Sequence, residues 1–534
     1  MNLRFMRVFR HVITTISTLT LLVVASNNLH GQNDSHKSPY NTVIVGELPD
    51  TFKIVGVVKY DYNQYRGLSM SSRNTSRFEV PVKNGRFTYK FQIDHPIYLL
   101  FDCVPANFSA FNGMGSASFD TNGLLIEPGD SIHFDARVSL KAQTGYPSVT
   151  FSGRGAEKHW CIQEIIRNTD LYRCPLAIRY YGASPREELA LSDSVANMIS
   201  KTADIFKHKL SPAVFSLIKV HYINSLSEDV SDIFIRSGFD LKKNNVKLLY
   251  RRELASREAL FHTNDNNLIY GSSYVTNPIV QRALLDYSIS KNIDYPLTQF
   301  GTHELRTSEG PQNYKAEYYH EIARRMPSGS LKNRVLSDFI VYVINKTGVD
   351  AEVRKMVSEY LASTDSKSSF YSGIKGLSME FESLKGAKAF PFELPDTTGK
   401  LHSQKDFIGK VVLLDFMFNG CGGCRAMVPT LTIVEEHFRN NKAVSFISVS
   451  IDTEVDGQFG WKTGIGKFSV ASSLQLNLRQ GDNSAMCKYY NITGYPTLVL
   501  IGKDGKVLTT RASDPRYDNG KGLIKMIEEA LAAN

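Results

Sequence analysis

Between about Phe52 and Val138 apolar residues recur at every second position. Phe78, Val80 and Val82 precede Asn84-Gly85, and Phe87, Tyr89, Phe91 and Ile93 follow it. This alternation around an Asn-Gly pair predicts two strands joined by a tight turn, each with one buried face. Pro128-Gly129-Asp130 then introduces a further alternating run, Ile132, Phe134, Ala136 and Val138. The pattern predicts an all-β sandwich, or a small barrel, over residues 40–155.

After about Ser152 the period changes to that of a helix. Val353, Met356, Val357, Tyr360 and Leu361 share one helical face behind the candidate N-cap Asp350. Ser330 similarly precedes Val335, Leu336, Phe339, Ile340, Val343 and Ile344, with Gly348 as the stop. A mainly α middle domain over residues 156–385 follows, and it shows neither a fixed repeat nor a titratable cluster with catalytic spacing. Its role is that of a spacer, a dimerisation surface or a recognition platform. Gly386, Pro391, Pro395 and Gly399 mark a linker. Beyond it, strand and helix patterns alternate. Val411 to Phe416 and Val444 to Ile451 are apolar runs of buried-strand length around a helical segment, which predicts a βαβ unit with parallel strands. Thr497 to Ile501, the turn Asp504-Gly505 and Val507 to Thr510 predict a hairpin. Leu523, Met526, Ile527, Ala530 and Leu531 predict a closing amphipathic helix.

Length and composition bound this reading. With 534 residues, 42% hydrophobic and 22% charged, the chain holds three or four domains' worth of ordinary globular sequence. Six cysteines are too few for a disulfide-dense scaffold. The formal charge of +9 is partly an end effect. Arg4, Arg7 and Arg10 precede the apolar run Val12 to Ala25, and removing the first 31 residues lowers the charge to +6. No Lys/Arg block with interleaved aromatics follows, so a mildly basic surface is the better reading than a nucleic-acid groove. The basic start, the short apolar stretch and the polar Ser26-Asn27-Asn28 have the layout of a secretory signal peptide spanning residues 1–31. Its apolar part is shorter than a spanning helix needs. An exported protein in an oxidising compartment is expected, where cysteine pairs form readily.

Cys421-Gly422-Gly423-Cys424 follows the first parallel strand and opens the next helix. There the free backbone N–H groups and the positive end of the helix dipole stabilise an anion, which predicts Cys421 as the attacking thiolate. Cys424, one turn on, is placed to resolve a mixed disulfide. A zinc site would need a second ligand pair at suitable spacing, and none is visible, so no metal is expected. Cys161 and Cys174 could form a bridge. Cys103 and Cys487 read as buried small apolar residues.

These residues resemble a known family. Gly409-Lys410 with the strand Val411 to Phe416, the C-G-G-C, Pro429, and Thr493-Gly494-Tyr495-Pro496-Thr497 before a strand are similar to thioredoxin-fold proteins. The lead-in Phe392 to Lys400 and an insertion between Asp452 and Ser484 containing Trp461 narrow the resemblance to the exported TlpA/ResA-like thiol-disulfide oxidoreductases, over residues 387–534. The resemblance implies an α/β thioredoxin fold there. It implies that Pro496 is the cis-proline facing the cysteines, that the Tyr495 backbone pairs with substrate, and that Asp415 is a buried general base for Cys424. It implies no bound cofactor, disulfide-containing envelope proteins as substrates, and a membrane electron-transfer protein as donor.

The departures are specific. Met427 stands where ResA-like proteins commonly carry a Glu, Gly420 where Trp is frequent, and Gly422-Gly423 bring no side chain between the cysteines. Two alternatives accompany the oxidoreductase reading. A thiol peroxidase would need Pro and Thr upstream of Cys421, where Leu414 and Phe418 stand. A non-enzymatic envelope binding protein would use the thioredoxin-like module only as a tethered part.

Overall fold

The computed structural model describes residues 40–48, 52–63, 75–103, 124–135, 137, 149–169, 184–236, 239–240, 243–260, 266–271, 273–292, 315–326, 328–453, 460–492 and 494–533. The expected signal peptide lies outside them, as do Ala136, Val138 and Cys174. Among the described residues no helix is long and apolar enough to cross a membrane. The chain separates into two compact units. One holds the described residues up to 239 with 249–279, and the other holds 240–248 with 280–533.

In the first unit β1 (Thr42–Glu47), β2 (Ile54–Tyr60), β3 (Thr75–Pro81), β4 (Arg86–Phe91), β5 (Ile97–Cys103), β6 (Leu124–Ile126), β7 (Ser131–Asp135) and β8 (Thr150–Arg154) form two four-stranded sheets. Their orders are β4-β1-β7-β8 and β3-β2-β5-β6. Ile44, Phe87, Ile132 and Phe134 of one sheet meet Val55, Val57, Leu99 and Phe101 of the other in a single core. The Asn-Gly turn forms as read, with both residues at positive φ, 51° and 67°. It joins two strands, as the alternation predicts, but beyond the turn they do not pair with each other. β3 pairs with β2 and β4 with β1, and a single bridge between Lys83 and Arg86 remains at the turn. Sending the two strands to different sheets lets Val80 and Val82 share a core with Phe87 and Phe91, and all four are buried.

The helix α1 (Glu157–Thr169) is fastened to this β region by a buried ion pair. Lys158, 1% exposed, donates to Asp130 at 2.6 Å and to Glu127 at 2.9 Å. Gly155, at φ +94°, leaves room for the Asp130 carboxylate, which a Cβ there would overlap. Removing the cation strands a buried carboxylate. Lys158→Met is therefore expected to destabilise this unit by about 3 kcal/mol in denaturant titrations, and a loss under about 1 kcal/mol would refute the fastening role. The helices α2 (Pro185–Ile205) and α3 (Pro212–Arg236) follow, the first opened by a capping box between Ser184 and Glu187. Next come α4 (Asn244–Glu258) and α5 (Ser273–Lys291).

The last of these helices run into the second unit, which continues with α6 (Lys315–Arg325), α7 (Ser330–Thr347), α8 (Ala351–Ser363) and α9 (Ser369–Ser383). Asp350 caps α8, accepting the Val353 N–H at 2.9 Å. Gly329 rather than Ser330 occupies the cap of α7, so that helix starts one residue before the sequence signal. Val335, Leu336, Phe339, Ile340, Val343 and Ile344 are all buried, as the helical period requires. Gly348 ends α7 at φ +71°, and a Cβ there would run into the Arg511 carbonyl oxygen. The helices thus pack directly on the C-terminal segment. Gly348→Ala would meet both an unfavourable backbone conformation and a backbone clash, and a loss of about 2 kcal/mol or more in thermal unfolding is expected. The segment read as a linker is also tied down, by Gly386 N–H to the Val507 carbonyl at 2.8 Å and Ala389 N–H to the Gly505 carbonyl at 2.9 Å.

The C-terminal segment opens with the small ribbon β9 (Glu393–Pro395) and β10 (Leu401–Ser403). A five-stranded sheet follows from β11 (Val411–Met417), β12 (Val444–Ser450), β13 (Leu474–Asn477), β14 (Thr497–Ile501) and β15 (Val507–Thr509), in the order β13-β12-β11-β14-β15. β11 runs parallel to β12 and antiparallel to β14. The helices are α10 (Gly422–His437), α11 (Ala485–Tyr489) and α12 (Lys521–Ala532). Every residue of β11 is buried, because both of its faces are covered. Val412, Leu414 and Phe416 pack into one core, while Val411 and Leu413 join Met427, Leu431, Leu523 and Ile527 in the other.

Candidate active site

The alternation along β11 positions the chemistry. Val411 and Leu413 face the core of α10 and α12, and Met417, on the same face, packs against Cys421 and Cys424. The two-residue period puts Asp415 between them on that face. The chain then turns through Gly420, whose φ of +98° favours glycine and accounts for its presence before the first cysteine.

Cys421 is the N-cap of α10, and its sulfur accepts the Cys424 N–H at 3.0 Å. A cap normally supplied by an oxygen is here supplied by a sulfur. The cysteines are joined as a disulfide with Cα atoms 5.2 Å apart, and both are buried. Their shelter includes Phe418, Phe468 and Tyr495.

Asp415 is buried, and neither carboxylate oxygen has a hydrogen-bond partner among the described residues. Burial pushes it up to about 8, and the carboxylates of Glu435 and Asp514 add to the rise. Glu435, on α10, is itself buried and raised; it accepts from Ser472 at 2.6 Å and from Ser473. Across the sheet Asp415 lies in register with Ser448.

Tyr495-Pro496 is a cis peptide bond. A Cβ on Gly423 would lie 3.2 Å from Pro496 Cδ and 3.4 Å from the Tyr495 carbonyl oxygen, so this peptide faces the loop between the cysteines. The Tyr495 ring meets Phe418 edge-on, with centroids 5.4 Å apart. The structure therefore brings Cys421, Cys424, Asp415, Tyr495 and Pro496 to one end of the sheet.

Three groups that act on Asp415 or on the loop between the cysteines carry no sequence signal that reads as a site. Glu435 is one. The others are Asp514 and Arg516, flanking Pro515 before α12. Arg516 binds the Asp514 carboxylate through Nε at 3.0 Å and Nη2 at 2.6 Å, and its Nη1 donates to the Gly423 carbonyl at 3.2 Å. Their distance from the cysteines in sequence hides them, although Asp-Pro-Arg is itself a turn signal.

The remaining cysteines lie elsewhere. Cys161 is a buried thiol in α1, pushed up to about 12 by burial, and its suggested partner Cys174 is outside the described residues. Cys103 ends β5, and Cys487 is buried in the core against β12 and β14. Met427 fills the core under α10.

The thioredoxin-like family matches residues 409–507. The chain is 29% identical over 123 residues to the thiol-disulfide oxidoreductase ResA of Bacillus thuringiensis subsp. konkukian, covering 23% of this chain and 66% of that protein. It is 25% identical over 118 residues to protein disulfide-isomerase 1 of Dictyostelium discoideum, covering 22% of this chain and 23% of the relative. The chain thus spans less than two thirds of either relative. Among solved structures, the thioredoxin domain of a thiol-disulfide oxidoreductase from Bacteroides vulgatus is 28% identical and aligns over 27% of this chain and 97% of its own, with a TM-score of 0.24. A thiol-disulfide oxidoreductase from Bacteroides fragilis is 25% identical and aligns over 27% and 98%, with a TM-score of 0.23.

Proposed function

We propose that this chain, a TlpA/ResA-like member of the thioredoxin superfamily over its C-terminal segment, is an exported thiol-disulfide oxidoreductase that reduces or exchanges disulfides in envelope proteins. One observation carries the reading: a cysteine pair at the N-terminus of α10 whose first sulfur accepts the N–H of the second cysteine at 3.0 Å. In the reduced protein that N–H and the helix dipole stabilise a Cys421 thiolate. The segments assigned to the chain are a signal peptide at 1–31, a β-sandwich at 40–155, a helical domain at 156–385 and the thioredoxin-like domain at 387–534.

The steps balance without a cofactor. The Cys421 thiolate attacks one sulfur of the substrate disulfide, and the other leaves as a thiolate. Asp415 takes the Cys424 proton, Cys424 attacks the Cys421 sulfur, and the second substrate sulfur is released. Two electrons pass from the protein dithiol to the substrate disulfide, and the protein ends with Cys421 bonded to Cys424. The Tyr495 backbone beside Pro496 offers an edge for the substrate main chain. A membrane electron-transfer protein is the class of donor that restores the dithiol outside the cytoplasm.

Two assays test the reading. The reduced protein is expected to reduce insulin disulfides, and Cys424→Ser is expected to retain substrates as mixed disulfides on Cys421 that mass spectrometry identifies. A protein that neither reduces nor oxidises disulfides, and whose Cys421→Ser variant behaves identically, would leave the non-enzymatic binding protein instead.

A further inference from the structure

Gly422 and Gly423 carry no side chain into the loop that separates the cysteines. The space beside Gly423 is nevertheless occupied. A Cβ there would lie 3.6 Å from Arg516 Nη1 as well as 3.2 Å from Pro496 Cδ. The guanidinium is fixed by the fork it makes with Asp514 and by its bond to the Gly423 carbonyl, and its side chain is 21% exposed. The short helical turn Pro515–Tyr517 that carries it packs against α10.

We propose that Arg516 supplies from outside the C-x-x-C the charge that its glycines lack, holding the Cys421–Cys424 pair at a more oxidising reduction potential, with Asp514 tempering that effect. The disulfide is neutral, whereas the reduced pair carries a Cys421 thiolate. A fixed cation beside the loop therefore favours the reduced form, and a fixed carboxylate opposes it. Arg516 does not touch the exchanging sulfurs in this account. It is a positioning residue that acts through the electrostatics of the loop.

The test is the equilibrium of the full chain with glutathione, in which two glutathione thiols and the protein disulfide exchange with glutathione disulfide and the protein dithiol. Arg516→Gln is expected to shift that equilibrium about tenfold toward the protein disulfide, or about 30 mV for this two-electron couple, and to reduce the ultraviolet thiolate absorbance of Cys421. Asp514→Asn is expected to shift it the opposite way, and Arg516→Lys, which keeps the charge, to stay within about threefold of the native protein. A purely structural role would not give opposite signs to the two halves of one ion pair. Unchanged potentials, or shifts of the same sign, overturn the inference. If Arg516→Gln does not fold, the absence of an upward shift in Asp514→Asn overturns it alone. The inference rests on the oxidoreductase reading only in needing a reversible pair. Failure of the native pair to equilibrate with glutathione would sink both, whereas a native pair that cycles like its variants would sink only this one.

Discussion

Serine at position 421 is expected to abolish disulfide exchange, lowering the insulin-reduction rate by on the order of 10³-fold or more, whereas serine at 424 leaves the first attack intact and stops the cycle half-way. The asymmetry comes from where α10 begins. Cys421 sits outside the first turn, and its sulfur already accepts an N–H that the helix leaves without an internal partner. Charge developing on that sulfur is met by a donor in place. Cys424 is within the first turn and fully buried, so its thiolate gains no such cap and forms only when a base removes its proton. Rapid mixing of the reduced variants with a chromogenic disulfide reads the difference. Cys424→Ser should show one fast turnover and then a stable adduct, and Cys421→Ser should show neither phase. Equal initial rates in the two variants would overturn the assignment of attacking and resolving sulfur.

How much of this site can be read from the chain follows from how local each contact is. The apolar run of β11, the C-G-G-C after it and the cap of α10 all lie within 30 residues, and their order alone specifies a strand, a turn and a helix N-terminus. Asp415 is legible only through the family resemblance, which implies a buried carboxylate there; its place on the face of Met417 and the cysteines comes from the structure. Arg516 is not legible, since it reaches Gly423 from 93 positions away through a fold that no local pattern encodes. Glu435 reads as a polar position on an amphipathic helix. Only the packing against Ser472 and Ser473 reveals it as a buried carboxyl. The partners of the two strands around Asn84-Gly85 are illegible for the same reason. Alternation at Val80, Val82, Phe87 and Phe91 states that one side of each strand is buried, and it does not state in which sheet.

Replacing Asp415 with asparagine should then have effects of opposite sign on rate and on stability. The buried carboxyl, raised to about 8, faces Glu435 from α10 and Asp514 from the turn before α12, and both of those carboxylates disfavour its ionised form. As the base for Cys424 it works only when deprotonated. The resolving step in the native protein should accelerate as pH rises toward 8 and level off above it. Asparagine removes the base, so the step should slow by on the order of 10²-fold or more and lose the inflection near 8. Stability runs the other way. An unfolded aspartate titrates near 4 and the folded one near 8, so the native state binds the extra proton between these values. The stabilisation associated with that proton is complete below about pH 4 and is lost as pH rises through about 8. The amide of Asp415→Asn cannot ionise, so the variant should match the native protein in thermal unfolding at pH 4 and exceed it at pH 9, by on the order of a few kcal/mol. A variant that slows the resolving step without changing the pH dependence of unfolding would place the ionising carboxyl elsewhere. One that changes unfolding alone would make Asp415 a buried acid without a part in the exchange.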